Sequence, residues 1–420
     1  MGIWNSRKIG LAVGMISGTE WLVIATAFLG RFMLQFYQTT IGYAAALFGM
    51  DATQIGIAFA LFGVAFGLAA FLVHKIAPAQ LRRTVGICLL LLGATMPLYL
   101  ILHGTIEVDS IMTFDGLVTG VYMDALMTMG GMASTDPHQR QIDQSAFAFW
   151  VSTALIIAPF ATGALLALLG IKNMFALFAS MAIIALPFLA ALHGKHALQY
   201  VGHHSEVRDG KAKSGFEFLF RNKNTTFNAS LIAALGNKIP YFIVLSFGVL
   251  YGRKLGLSAP QVFYLIGVMF VFNVGARLVV MLQSPIRNKV RYLVIAMGFA
   301  VAAAILLPLA TFIHSLFYFV FPFAGIPEGM LWPIGLQIAN TTFKAHEVGS
   351  STSFFSSAMM ITAALMPLVG WFGIRMGYSA TFALFGLIVV VLFGLLLRYI
   401  HANGLHFDGN AAATGDSRNA

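Results

Sequence analysis

Runs of about twenty apolar residues, separated by short clusters of Gly, Pro, Asn and charged residues, recur from residue 19 to residue 400. At roughly 1.5 Å of rise per residue, each run is long enough to cross a hydrocarbon core of about 30 Å as a helix. Barrel strands would be about half that length and would alternate polar with apolar, a pattern no stretch here follows. Turn signals divide the apolar mass into twelve predicted spans: 19–47, 53–74, 84–103, 109–134, 143–168, 173–192, 224–251, 259–282, 291–312, 314–340, 349–372 and 378–400. The expected fold class is an all-α membrane protein of twelve transmembrane helices.

Composition sharpens this picture. Only 10% of the 420 residues are charged, against about 25% in soluble domains, so a soluble enzyme or binding module is excluded. The formal charge of +10 would suit a nucleic-acid partner if it were clustered, but it is distributed by loop. One side collects Arg7, Lys8, Lys75, Arg82, Arg83, Arg140, six Lys or Arg between Lys195 and Lys223, Arg287, Lys289, Arg291, Lys344, Arg398 and Arg418, the other only Lys172, Arg253, Lys254 and Arg375. Positive loops stay in the cytoplasm, so both termini are predicted there, in a bacterial or archaeal inner membrane, with lipid rather than nucleic acid as partner. The single cysteine, Cys88, leaves no disulfide framework, and the histidines lie in or beside loops without carboxylates at ligand spacing, so no metal is expected.

The one long polar segment, 193–223, separates an expected six-helix bundle over 1–192 from a second over 224–400, with a small-residue, disordered tail at 401–420. The short basic loops "VHKIAPAQLRR" and "LQSPIRNKVR" echo each other in the two halves. Two six-helix repeats around a midplane site are the architecture of a secondary transporter. In the fourth span "GLVTGVYMDALM", followed by "DPHQRQ", supplies Gly116, Gly120 and a Pro137-x-x-Arg140 turn, and "ARLVVMLQSPIRNKVR" supplies Arg277. With these motifs the chain resembles the major facilitator superfamily along essentially its whole length. The first-repeat loop keeps Lys75, Arg82 and Arg83 but has His74 where the family usually has aspartate. The resemblance implies that Arg82, Arg83, Arg140 and Arg277 take part in gating, and that spans one, four, seven and ten line a central cavity.

Deep charges point to the same place. A central Arg or Asp costs about 2.5–3.5 kcal/mol on insertion scales, so it persists when paired or facing water. Arg31 in span one, Asp115 and Asp124 in span four, Lys238 in span seven and Glu328 in span ten fall on the four helices the resemblance assigns to the cavity. Gln35 and Gln38 extend the Arg31 stripe, while Tyr241 and Trp332 stand one turn beyond Lys238 and Glu328. Asp115 and Asp124 point in roughly opposite directions. Asp115, sharing its face with Thr119 and Tyr122, is assigned to the cavity; Asp124 continues the Gly116–Gly120 packing row, as either a hydrogen-bonded carboxylate or a cytoplasmic-half proton site. The competing structural reading is a permanent interhelical ion pair that locks the bundle.

The functional expectation is a monomeric, proton-coupled symporter, with no other cofactor, for a small polar solute. Arg31, Gln35, Gln38, Lys238, Tyr241, Glu328 and Trp332 would bind an amino acid or organic anion, and Asp115, Asp124 or Glu328 would carry the proton, since burial and nearby cations shift a carboxyl in opposite directions. Drug efflux is the main rival. The family's antiporters usually carry Gly-Pro-x-x-Gly-Gly in span five and an arginine in span four, whereas here "APFATG" keeps only Pro159 and Gly163 and Met112 stands at the arginine position. Sugar or nucleoside uptake ranks below, because neutral solutes need no paired cations. No nucleophile–base set supports an enzyme.

Overall fold

The computed structural model describes residues 18–73, 76, 78–102, 104–131, 137–191, 224–283, 286, 288–343 and 348–405. Helix covers each of the twelve predicted stretches, and there is no strand among the described residues. Span one is Gly18–Leu47, span two Ala52–Val73, span three Pro78–Thr95 continued by a 3-10 turn at Met96–Leu100, and span four Thr105–Gly131. Spans five and six are one run, Pro137–Ala191, broken at Gly170, where φ of 68° and ψ of 157° suit glycine alone. Spans seven to ten are Thr225–Lys254, Ala259–Leu282, Lys289–Leu309 and Leu316–Thr342. Span eleven is Val348–Ile361 and Met366–Met376 joined by a 3-10 turn at Thr362–Leu365, and span twelve is Tyr378–Ala402.

Among the described residues, nine helices are long and apolar enough to cross a membrane by length and composition. Gly18–Leu47 and Thr105–Gly131 fall outside that group, and they are the helices that carry Arg31 and the two deep aspartates. Spans seven and ten are the most enclosed of the nine, at 89% and 72% buried, whereas span twelve, at 33%, lies at the periphery. Polar residues thus sit on central helices and apolar residues face outward, as a bilayer requires.

Glycine decides where helices approach closely. A Cβ on Gly116 or Gly120 would collide with the Phe62 or Phe66 carbonyl, so this row packs span four against span two. Gly325 and Gly329 do the same between spans ten and eight, against the Met269 and Asn273 carbonyls. Two seams join the first six spans to the last six. Span two meets span eleven through Gly56, Gly63, Gly67 and Gly370, and span five meets span eight where Gly163 abuts Pro260 and Gly267 abuts Phe160.

One local expectation is corrected. Pro137, expected in a turn, opens the helix of span five instead, a position where its missing N–H is no loss. Span ten carries Pro322, Pro327 and Pro333 inside one helix, Leu316–Thr342. The irregular helix is span eleven, whose 3-10 turn leads into Pro367. The predicted loop 193–223 and the predicted tail beyond 405 lie outside the described residues, as do His74 and Lys75.

Candidate functional site

Arg31 is the fourteenth residue of span one, about 20 Å along its axis. It opens onto a cleft with Gln38 of the same stripe, Lys238 and Tyr241 of span seven, and Glu328 of span ten. Phe59, Phe62 and Gly63 of span two, Phe242 and Leu245 of span seven, and Met360 and Ala363 of span eleven complete its walls. The cleft encloses about 420 Å³ of atom-free space, including its mouth.

Within the cleft the charges are unequally paired. Lys238 Nζ donates to Glu328 Oε1 at 2.8 Å, and the Asn237 amide donates to Oε2 at 3.0 Å. The lysine is also held over the Tyr241 ring at 4.5 Å and the Phe242 ring at 5.4 Å. Arg31 has no such partner: its one hydrogen-bond contact is the weak acceptor Met123 Sδ at 3.8 Å, and no described carboxylate lies within ion-pair distance. One turn along the same stripe, Gln35, predicted to bind the solute, does not line the cleft; its buried amide has no hydrogen-bond partner on either atom among the described residues.

Arg277, at 8% exposure, is a second buried guanidinium without a carboxylate among the described residues. Its Nη1 donates to Ser152 Oγ at 2.6 Å, across the seam between spans eight and five, and its guanidinium lies 4.7 Å from the Trp332 ring centre. Further bonds cross between the halves. Ser353 Oγ donates to Asp124 Oδ2 at 3.1 Å, and Ser357 Oγ donates to the Gly67 carbonyl at 2.6 Å. All three lie toward the end of the bundle at which span one begins, and the cleft lies on the opposite side of them. At that far end the halves also meet, where Gly42 abuts the Ser246 carbonyl and Gly370 abuts the Ala52 carbonyl.

The remaining predicted residues are dispersed. Asp115 does not line the cleft; it is fully buried inside the first half, accepting from Thr95 Oγ1 at 2.6 Å and from Tyr99 Oη at 3.4 Å, with Tyr99 in turn 2.8 Å from Tyr37 Oη. Trp332, predicted to face the solute, stacks on Arg277 rather than lining the cleft. Arg82 is half-buried and Arg83 exposed near the start of span three, while the side chain of Arg140 lies outside the described residues. Sequence reasoning missed Phe59, Phe62, Met360, Ser152 and Ser353. Apolar walls and lone hydroxyls carry no signature within an apolar helix.

Comparison with known proteins agrees with this architecture. The family model of the Major Facilitator Superfamily matches residues 21–326. The chain is 33% identical over 95 residues to the "Probable galactarate/D-glucarate transporter GarP" of Escherichia coli (strain K12), a match covering 22% of this chain and 21% of that protein. Its fold is similar to that of the nucleoside transporter NupG, with a TM-score of 0.70 at 13% identity over 91% of this chain and 99% of that one. It is likewise similar to a POT family transporter in complex with 5-aminolevulinic acid, with a TM-score of 0.71 at 12% identity over 90% and 95% of the two chains.

Proposed function

Because the chain belongs to the Major Facilitator Superfamily, we propose that it carries a small organic anion across the membrane by alternating access, its two sets of six spans rocking about the cleft. The observation that carries this reading is Arg31, a permanent cation deep in the bundle, open to the cleft and without a described counter-ion. Guanidinium matches a carboxylate bidentately, which makes an acid the solute that best satisfies it. An amino acid offers the same carboxylate, but its ammonium would meet Lys238 and Arg31 together, with the Glu328 carboxylate already engaged. The relative named for galactarate and D-glucarate, both sugar acids, supports the same choice.

Solute binding would reorganise the Lys238–Glu328 pair, since a second carboxylate near Lys238 competes for its ammonium. Coupling to protons is assigned to Asp124. When the halves rock, bonds within a half persist and bonds between halves break. Asp115 takes its hydroxyl bonds from Thr95 and Tyr99 of span three, in its own half, whereas Asp124 bonds across to Ser353 of span eleven. Only the second bond reports which way the carrier faces. The basic loops favour a cytoplasmic membrane with both termini inside.

Phe59, Phe62, Phe242 and Met360 support a second reading, export of amphipathic compounds; the excess of cations limits these to anionic ones. Counterflow of labelled organic acids in proteoliposomes tests both. Exchange of hydrophilic acids supports the leading reading. Exchange only of lipophilic ones supports the second, and exchange of neutral sugars alone contradicts both.

A further inference from the structure

Beside the cleft, spans one and four of the first half meet residue against residue. Tyr122 of span four fits into span one at Gly30: a Cβ on that glycine would occupy the place of the Tyr122 hydroxyl, which donates to the Thr26 carbonyl at 3.4 Å. The next residue along each span makes the next contact, with Arg31 Nη1 3.8 Å from Met123 Sδ. Met123 is buried, at 8% exposure, and lies outside the cleft lining. One residue further, Asp124 turns to Ser353 of span eleven, and the earlier Asp115 turns to Thr95 and Tyr99. Span four thus carries two buried carboxylates and offers Arg31 neither of them; it offers a thioether.

Deepening the organic-anion reading on which it rests, we propose that Met123 is the positioning residue of the site: its sulfur aims Arg31 into the cleft and leaves the guanidinium unneutralised for the solute. A thioether is a weak acceptor on a polarizable side chain, so it gives the guanidinium a preferred direction while the five N–H donors keep nearly all their demand for an anion. A carboxylate in the same place would form a permanent ion pair inside the first half, and the cleft would lose the cation that receives the solute. An alkyl side chain would leave the long arginine arm unordered, and each binding event would then have to order it. Spans one and four lie in the same half, so the contact would persist as the halves rock and Arg31 would keep its aim in either state of the carrier. Residue 123 thereby sets the affinity for a solute it does not touch.

The test is a series of side chains at position 123 in the purified full-length protein, with affinity titrated by thermal shift. The probes are succinate, benzoate, galactonate and galactarate, with galactitol as the neutral control, and the acid that stabilises the wild type most is carried through the series. Met123→Leu, which keeps the volume and removes the acceptor, should weaken that acid about three- to tenfold with the ligand-free unfolding temperature little changed. Met123→Glu, which gives Arg31 a tethered competitor, should weaken it about a hundredfold and hold or raise the ligand-free unfolding temperature. The same glutamate placed on Arg31→Gln strands a carboxylate and should lower that temperature, a change of sign that a packing role for Met123 does not produce. Where the glutamate variants do not fold, Met123→Gln replaces them, with about a tenfold loss expected from the stronger amide acceptor. Wild-type affinity in Met123→Leu, wild-type affinity in a folded Met123→Glu or Met123→Gln, or an equal fall in unfolding temperature in both backgrounds overturns the role of Met123 and leaves the organic-anion reading standing. Failure of every acid to bind the wild type overturns both together.

Discussion

Lys238 Nζ and Glu328 Oε1 lie 2.8 Å apart, one on span seven and the other on span ten, so the pair closes within the second half of the molecule and never spans the two halves. A bond of that kind does not hold the carrier shut. It instead engages the carboxylate beside the cleft and leaves Arg31, on the facing half, without a carboxylate partner among the described residues. Under the proposed mechanism, rocking of the halves would change what Arg31 faces and leave the pair intact.

The pair itself predicts an asymmetry in stability. Its side chains are 2% and 8% exposed. Lys238→Met alone strands a buried carboxylate and should lower stability by about 3–5 kcal/mol, whereas Lys238→Met with Glu328→Leu removes both charges and should recover most of that loss. Thermal unfolding of the three proteins in one detergent checks this: a double variant less stable than the single one contradicts it.

Ser357 and Gly67 predict a reversible block. A Cβ built on Gly67 lies 3.6 Å from Ser357 Cα and 3.2 Å from its carbonyl oxygen, so a thiol at 67 sits beside position 357 once its neighbours give by a few tenths of an ångström. With the buried Cys88 replaced by serine, Gly67→Cys with Ser357→Cys should cross-link under mild oxidation. Counterflow should then fall to background and return with a reductant. Full activity in the cross-linked protein would show that spans two and eleven do not separate here during the cycle.

The two aspartates predict different failures. Asp124→Asn should preserve counterflow, which needs no net proton movement, and abolish uptake driven by a pH gradient. Asp115→Asn should leave coupling in place and act mainly on stability, because its Thr95 and Tyr99 donors all come from its own half. Parallel counterflow and gradient-driven uptake separate the two. Gradient-driven accumulation surviving in Asp124→Asn moves the coupling role elsewhere.

How much of this was legible in the chain depends on what each residue needs from its neighbours. Arg31, Lys238 and Glu328 could be picked out because a charge in an apolar run has few permissible environments. Their convergence on one cleft follows from which helices hold them. The direction of Asp115 was not legible, since nothing local to span four announces that Thr95 of span three will supply its hydrogen bond. Phe59, Phe62 and Met360 were hidden among 38 phenylalanines and 20 methionines that mostly face lipid or core. The inter-half bonds rest on Ser152, Ser353 and Ser357, hydroxyls that within one helix look like any other small residue. Trp332 was placed on the right helix turn, but its partner is Arg277 of span eight, outside the four spans expected to form the site.

The most direct measurement is the affinity of Arg31→Gln for the acid that best stabilises the wild type, taken together with the unfolding temperature of the ligand-free protein. Loss of affinity by about a hundredfold, consistent with roughly 3 kcal/mol for a charge-assisted contact, with ligand-free stability held or raised, is the predicted result. Undiminished affinity together with a falling unfolding temperature would contradict it and make Arg31 a brace of the bundle.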